Sequence, residues 1–388
     1  MILRILFFMT ILLFLPLWGI DRMCLRHHLN RLVRILAAIP NLLLFIALCI
    51  MSVNESYSTE AMFWKGLLLT WTLCIVVPEA VVALVMLLGK FFKVDSKGSR
   101  LVHAFAWISG LGAFALMAYG FSQGYKDIVV KDYTYESDRL PESFDGYRIM
   151  QFTDLHVGTF NGRTEVVKAV VDSINSHHPD MIVFTGDLVN TLARELEDYT
   201  EVLKDLKAPD GVVSITGNHD YACYFKWDSP VDSLLDIRYL QQMERDMGWR
   251  LLLNENIVLH RGNDSIAILG VENDGLPPFP SLGDLDKAQK GVQQGCFKVL
   301  LSHDPTHWKR SILPDTNVDL TLSGHTHGMQ FKIGNFSPAS FFYPEWGGEY
   351  RNEDGRALYI SLGAGEALLP FRFGAWPEVN LITLKTKK

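Results

Sequence analysis

The sequence predicts an α/β domain of two packed sheets flanked by helices, preceded by an all-α transmembrane region of about four helices. Three observations carry that expectation. Long apolar runs are confined to residues 1–123, strand-like and helix-like segments alternate from Tyr147 onward, and five strand-like runs end in polar clusters rich in Asp, His and Gly. Strands alternate with helices early and dominate late, which suits a two-sheet sandwich better than a single doubly wound sheet. The expected division is 1–123 for the membrane region, 124–146 for a juxtamembrane connector and 147–388 for the polar domain.

At 388 residues the chain has room for more than one domain. The first apolar run, Ile2–Ile20, carries only Arg4 ahead of its apolar stretch and no small-residue cleavage site before Asp21, so an uncleaved span is expected. The second, Ile35–Val53, is interrupted by Pro40 and Asn41; the third runs from about Gly66 to Leu88 and the fourth from Leu101 to Ser122. Each is near the ~20 residues needed to cross the hydrocarbon core. The loop after the first run carries Arg22, Arg26, Arg31 and Arg34, and that between the third and fourth carries Lys90, Lys93, Lys97 and Arg100. Asn54 to Ala61 is acidic and has no basic residue. By the positive-inside rule both basic loops face the cytoplasm. An integral membrane protein in the cell or inner membrane follows, with an extracytoplasmic polar domain and the bilayer as a partner. Glu79, beside Pro78 in the third run, is a carboxyl at membrane depth, where such groups are costly enough to suggest a function. No ionisable group in another run pairs with it, so a hydrogen bond to a neighbouring helix is expected.

The polar part then follows in order. Val129–Tyr135 alternates as an edge strand does, and Tyr147–Thr153 is a strand. Arg163–His177 is an amphipathic helix with Val166, Val170, Val171 and Ile174 on one face. Asp180–Thr185, Val212–Thr216 and Ile266–Val271 are strands, with helices at Tyr199–Leu206 and Leu234–Met247. Lys298–Leu301, Leu320–Leu322, Leu358–Leu362 and Val379–Leu384 complete the strands. A net charge of −7, with no Lys/Arg block outside the membrane loops, excludes a nucleic-acid surface. Of five cysteines only Cys223 and Cys296 lie in this part, which is neither a disulfide framework nor a zinc spacing.

Five clusters hold the chemistry. They are Thr153-Asp154-Leu155-His156, Thr185-Gly186-Asp187, Thr216-Gly217-Asn218-His219-Asp220, Ser302-His303-Asp304 and Ser323-Gly324-His325-Thr326-His327-Gly328. Each follows a strand, and open α/β sheets place their ligands at the carboxyl ends of strands. Phosphoester hydrolysis needs a hydroxide in line with phosphorus and neutralised non-bridging oxygens, and two cations ~3.5–4 Å apart supply both. Such a pair requires a bridging carboxylate, further oxygen donors and imidazoles. Asp154 and His156, the lone carboxylate Asp187, the amide of Asn218, and His303, His325 and His327 make up that inventory. His325 and His327 stand two apart, on one side of an extended segment, and Gly324 and Gly328 let the backbone fold tightly around them. One such cluster alone reads as a capping Asp or a packed His; five in this order read as a metal centre. Mixed imidazole, carboxylate and amide donors suit Mn, Fe, Zn or Co rather than Ca or Mg.

The series Asp154-x-His156, Gly186-Asp187, Gly217-Asn218-His219-Asp220, His303 and Gly324-His325-x-His327 resembles the signature of the calcineurin-like metallophosphoesterases, over about Tyr147 to Leu384. Gly363-Ala364-Gly365 through Pro370-Phe371-Arg372 to Pro377-Glu378-Val379 is similar to the membrane-associated bacterial phosphodiesterases of that superfamily. The resemblance implies a four-layer α/β/β/α sandwich and two divalent transition-metal ions. One would be held by Asp154, His156, Asp187 and His327, the other by Asp187, Asn218, His303 and His325. It also implies a phosphodiester or phosphomonoester substrate attacked by a metal-bridging hydroxide, with His219 protonating the leaving alkoxide or steadying the phosphate. Protein phosphatases of the superfamily carry an Asp-Arg pair shortly after the bridging Asp, whereas here Asn190 and Thr191 follow Gly186-Asp187-Leu188-Val189. An Asn cannot raise the basicity of His219 as a carboxylate would, so that task falls to Asp220 or to no residue, and phosphoserine proteins are disfavoured as substrates.

Aromatic residues crowd two of the clusters: Tyr221, Tyr224, Phe225 and Trp227 follow Asn218, and Phe336, Phe341, Phe342, Tyr343 and Trp346 follow His327. They either bind acyl chains or pack long loops onto the sandwich. Arg372 is a candidate phosphate contact. The expected function is a membrane-anchored phosphoesterase for which a lipid or lipid-linked substrate is one reading. Two alternatives are a cytoplasm-facing hydrolase of a nucleotide-linked lipid (UDP-diacylglucosamine type), opposed by the charge topology, and a non-catalytic membrane binding or sensor protein, opposed by the complete ligand set.

Overall fold

The computed structural model describes residues 2–53, 59–126, 128–367 and 369–387. The chain divides into one unit of Met1–Gln123 with Leu369–Phe371, and a second of Gly124–Leu368 with Arg372–Lys388. The first is built on four helices: α1 (Ile2–Ile20), α2 (Arg31–Val53), α3 (Thr59–Phe91) and α4 (Ser96–Ser122). Arg31–Ile50, Trp64–Phe91 and Gly98–Ser122 are each long and apolar enough to cross a membrane. Of the acidic loop expected at Asn54 to Ala61, residues 54–58 lie outside the described residues.

Apolar helices gain little from burying Leu against Leu in hydrocarbon, so polar side chains fix their register. Asn41, fully buried on α2, donates its amide to the Leu13 carbonyl of α1 at 2.7 Å and to Glu79 Oε2 of α3 at 2.9 Å. The carboxyl at membrane depth therefore has a neutral partner, and one amide ties three helices.

The second unit holds two six-stranded sheets. The strands are β1 (Val129–Ser137), β2 (Arg148–Phe152), β3 (Met181–Phe184), β4 (Val212–Ser214), β5 (Arg250–Leu251), β6 (Glu255–Arg261), β7 (Asp264–Gly270), β8 (Phe297–Leu301), β9 (Leu320–Ser323), β10 (Gly348–Arg351), β11 (Ala357–Ile360) and β12 (Glu378–Thr386). One sheet runs β1-β12-β2-β3-β4-β5 and the other β10-β11-β9-β8-β7-β6. The segment expected to be a connector thus supplies the edge strand β1, parallel to β12 from Val129↔Glu378 to Ser137↔Thr386. Strand β6, which pairs with β7 as a hairpin, and the short strands β5 and β10 have no counterpart in the sequence reading.

Side chains alternate between the two faces of each strand and so sort into layers. In β3, Met181 and Val183 face the inter-sheet core, with Val299, Leu301, Leu320 and Leu322 of the other sheet. Ile182 and Phe184 face the opposite way, onto α5 (Thr164–Ser176) and α6 (Pro230–Asp246) through Val170, Val171, Ile174, Leu240 and Met243. The second sheet is covered on its outer face by short helical turns carrying Ala288, Trp308 and Ile312. Helix, sheet, sheet and helix follow one another, two mixed sheets with flanking helices.

One buried acid on α6 carries a pH dependence. Burial, reinforced by the negative charge of Asp220, pushes the Glu244 carboxyl up to about 8 from an ordinary 4.5. The folded chain binds this proton more tightly than the unfolded chain. Its stabilising share is therefore complete below pH 4.5 and is lost as pH rises through about 8. The loss is at most ~1.4 kcal/mol per pH unit in that window. Glu244→Gln is expected to flatten the fall of thermal stability between pH 5 and 8 relative to the parent chain; parallel curves for the two proteins in a melting series would remove Glu244 as its source.

Candidate active site

The five clusters lie beyond the carboxyl ends of β2, β3, β4, β8 and β9, three in one sheet and two in the other. The loops are stitched by main-chain bonds that continue the ladder past the strands: Asp154 N to Gly186 O at 2.9 Å, His156 N to Asp187 O at 3.2 Å, and Gly324 N to His303 O at 3.0 Å. To turn inward so abruptly, Asp154 (φ 52°), His156 (45°), Asp187 (61°), His325 (76°) and His327 (50°) adopt the left-handed region. Non-glycine residues there are sparsely populated and cluster at functional sites. Gly217 permits close packing, since a Cβ at that position would collide with the Asp187 carboxylate.

The side chains of these clusters come together. Asp154 Oδ1 lies 3.1 Å from His327 Nε2, whose neighbour His156 Nε2 is 3.1 Å away. His156 Nε2 lies 3.7 Å from Asp187 Oδ2 and His303 Nε2 is 3.1 Å from the same oxygen. On the far side His325 Nδ1 meets Asn218 Oδ1 at 2.8 Å. Asp154, His156 and His327 bring ligand atoms within 4.8 Å of one another, as do Asp187, His303 and His325, and also His156, Asp187 and His219. Asp187 belongs to two of these groups, between the other donors.

Electrostatics agree with a cation in this place. Burial alone would raise the Asp187 carboxyl, yet the imidazoles of His303, His219 and His156 hold it well below the usual carboxylate range. Burial pushes His156 well below its ordinary value, leaving a neutral ring with a lone pair to give. His303 donates Nδ1–H to the Thr185 carbonyl at 2.7 Å, which turns Nε2 inward, buried and 3.1 Å from Asp187 Oδ2. Buried imidazole nitrogens, oriented by a main-chain carbonyl behind them and turned onto a shared carboxylate, are the pattern that a bound metal satisfies.

His219 sits at the rim, partly exposed, with its main-chain N–H on Asp187 Oδ1 at 2.8 Å. Its Nδ1 faces the main-chain carbonyl of Asn190 at 2.6 Å, so Nδ1 is the donor and Nε2 lies on the opposite edge of the ring. Tyr224 packs over the ring with centroids 4.4 Å apart and accepts from the Asn218 amide at 2.7 Å.

Two expectations need correction. Asp220 does not support His219: its carboxylate accepts the main-chain N–H groups of Asp187, Leu188 and Gly217 at 2.8 Å each and of Val189 at 3.3 Å, so it fixes the Asp187 loop. Arg372 is not presented to a substrate. It is fully buried, with Nε on Gly365 O and Nη1 on Ala375 O at 2.8 Å, Nη2 on Leu362 O at 2.9 Å, and Nη2 3.2 Å from His327 Nδ1. A guanidinium whose donors are spent on carbonyls backs the His327 ring and ties the Leu362–Gly365 loop behind it.

Other residues of the site escaped the sequence reading. Tyr343 OH lies 2.9 Å from His325 Nε2, bracing the ring from the side away from Asn218. Glu195 accepts from the main-chain N–H of Asn190 at 2.6 Å, of Thr191 at 3.3 Å and of Leu192 at 3.2 Å, which aims the Asn190 carbonyl at His219. Glu195 follows Asn190 by five residues in a polar loop, and no motif marks it; Tyr343 carried only the signal of an aromatic cluster.

Comparison with known proteins agrees with this geometry. Residues 147–329 match the family model described as calcineurin-like phosphoesterase. The chain is 29% identical over 301 residues to the metallophosphoesterase YkuE of Bacillus subtilis, a match over 75% of this chain and 99% of that protein. It is 29% identical over 279 residues to a metallophosphoesterase of Aquifex aeolicus, over 71% of this chain and 98% of the other. A transmembrane protein with metallophosphoesterase domain from Danio rerio is 28% identical over 277 residues, 70% of this chain and 60% of that protein. The chain therefore carries a calcineurin-like metallophosphoesterase domain.

Proposed function

We propose that the chain is a membrane-anchored phosphoesterase with two divalent transition-metal ions, acting on a phosphate ester carried by a lipid or a lipid-linked molecule, with its catalytic domain outside the cytoplasm. Asp154, His156, Asp187 and His327 would hold one ion, and Asp187, Asn218, His303 and His325 the other. The pair, when bound, supplies charge neutralisation for the phosphate and an acidified water.

The chain's own residues do the rest. Asn190 O fixes the tautomer of His219 and leaves Nε2 to hold or deliver a proton at the leaving oxygen, a role typically worth ~10²- to 10⁴-fold. Tyr224 keeps the ring in plane, and Tyr343 and Asn218 grip His325. Asp220 and Arg372 act from behind, through Asp187 and His327.

One observation carries the substrate class. Directly after His327 the chain exposes Met329, Ile333, Phe336, Phe341 and Phe342, the last two at 74% and 70%. An apolar, solvent-facing segment beginning beside a polar, charge-lined centre fits a ligand with an acyl part and a phosphate part. The membrane orientation rests on the basic loops at Arg22–Arg34 and Lys90–Arg100.

Three outcomes are expected. His219→Ala should keep its metal content by elemental analysis yet lose ~10²-fold or more in kcat on alkyl phosphodiesters. It should lose much less on p-nitrophenyl esters, whose leaving group needs no proton; equal losses on both would dismiss proton delivery. Replacing Phe341 and Phe342 together by Ser should depress hydrolysis of phospholipid in mixed micelles while bis-p-nitrophenyl phosphate turnover stays at the parent level, and a parallel drop on both substrates would argue that the segment is structural. A reporter active only after export, fused after Lys388, should be active. A reporter active only in the cytoplasm would favour the nucleotide-linked lipid instead.

A further inference from the structure

We propose that Cys24, His28 and His103 form a separate metal site in the helical unit, suited to a Zn²⁺-like ion and independent of the phosphoesterase centre. The thiol sulfur and one nitrogen from each imidazole lie within 4.8 Å of one another. Among the described residues, no hydrogen bond or ion pair occupies any of the three side chains. The catalytic centre takes none of its donors from this unit, and nothing in the proposed reaction uses these residues.

Local structure explains the convergence. Cys24 lies in a π-helical turn, Asp21–Leu25, that interrupts the helix between α1 and the short turn Arg26–His28. Such widened turns recur at functional sites because they re-aim side chains that a regular helix would stagger. His28 follows Cys24 by four residues and so lies on the same helix face. His103 comes from α4, and the approach is fixed by packing: Cys24 is buried with Ile20, with Val82 and Met86 of α3, and with Ala106 of α4, one turn beyond His103. His28 is exposed and His103 half-buried, so the cluster is walled by apolar side chains on one face and open on the other.

Donor chemistry sets the class of ion. One thiolate and two imidazoles select borderline to soft cations over Mg²⁺ or Ca²⁺. Three protein ligands with an open side match tetrahedral zinc with water or another donor in the fourth position. On binding, the sulfur–proton bond of Cys24 is exchanged for a sulfur–metal bond and one proton is released to solvent. The ion would clip the turn after α1 to the first turns of α4, at the end of the unit that carries the arginines of the first basic loop.

Cobalt separates this site from the catalytic one, because no cysteine belongs to the proposed catalytic ligand set. The full chain, purified in detergent and freed of metal, is titrated with Co²⁺. The expected result is a thiolate-to-cobalt charge-transfer band in the near ultraviolet, lost in Cys24→Ser. His28→Ala and His103→Ala should each require roughly tenfold or more Co²⁺ to reach it. Cys223→Ser, which removes the thiol nearest Asn218, should retain the band. Hydrolysis of bis-p-nitrophenyl phosphate by each variant reports that the catalytic domain is folded. A Co²⁺-loaded parent chain with no thiolate band, or a band that survives in Cys24→Ser, overturns the proposal whatever the fate of the hydrolase reading.

Discussion

Asp187 stands on one sheet and His303 on the other, and their 3.1 Å contact is the constraint to which the rest of the second unit answers. For that distance to exist, β3 and β8 must end at the same height on facing sheets, which fixes how the two sheets are offset. The inter-sheet core supplies the offset through side chains that alternate along each strand: Met181 and Val183 from one, Phe297, Val299 and Leu301 from the other. The Asp154 carboxylate makes a second tie, accepting the main-chain N–H of His325 at 3.0 and 3.1 Å. Packing sets the frame, and the polar ties select one register within it.

The loops that deliver these side chains are unfavourable in isolation. Five of the seven proposed metal ligands sit at left-handed φ, and sparsely populated backbone of this kind costs on the order of 1–3 kcal/mol per residue. What holds them is hydrogen bonding from buried groups that touch no substrate. Asp220 gathers four N–H groups of the Asp187 turn and its neighbour, and Arg372 gathers the carbonyls behind His327. Burial and the nearby Asp187 push the Asp220 carboxyl up to about 6, so keeping it ionised opposes the field of the site it builds. A cation between the carboxylates would relieve that opposition, and the same ion would stabilise the fold and serve the chemistry.

How much of this could be read from residues alone follows from what each signal encodes. The strands were legible because short β-branched, apolar runs are what a pleat buried on both faces requires, and the proposed ligands stood out because Asp, Asn and His after five such runs have few other reasons to recur. Asp220 and Arg372 were misplaced for the opposite reason. A charged side chain beside a site can face the substrate or turn back to hold the backbone, and its identity is the same in both cases. The Asn190 contact was hidden more deeply, since His219 is oriented by a main-chain carbonyl that every residue possesses. Strand β6 of the β6–β7 hairpin went unread because Glu255–Arg261 mixes Asn, His and Arg into a strand whose other face meets solvent.

The aromatic residues around the centre show how two readings of one composition can both be realised within a single loop. Tyr343 and Tyr224 are tied by hydrogen bonds to His325 and Asn218, and Phe331 stacks on Phe373 at 5.9 Å, closing the loop against the domain. Those contacts already anchor the segment. Phe341 and Phe342 lie between them in sequence, yet they remain exposed, forgoing ~25 cal/mol for each Å² of apolar surface that burial would remove from water. A loop whose anchoring needs were met by other rings has no packing reason to hold two phenylalanines outward. Their exposure is the feature on which the proposed lipid-linked substrate rests: the two rings would meet its apolar part, and the Asp- and His-lined centre at the root of the same loop would take its phosphate end.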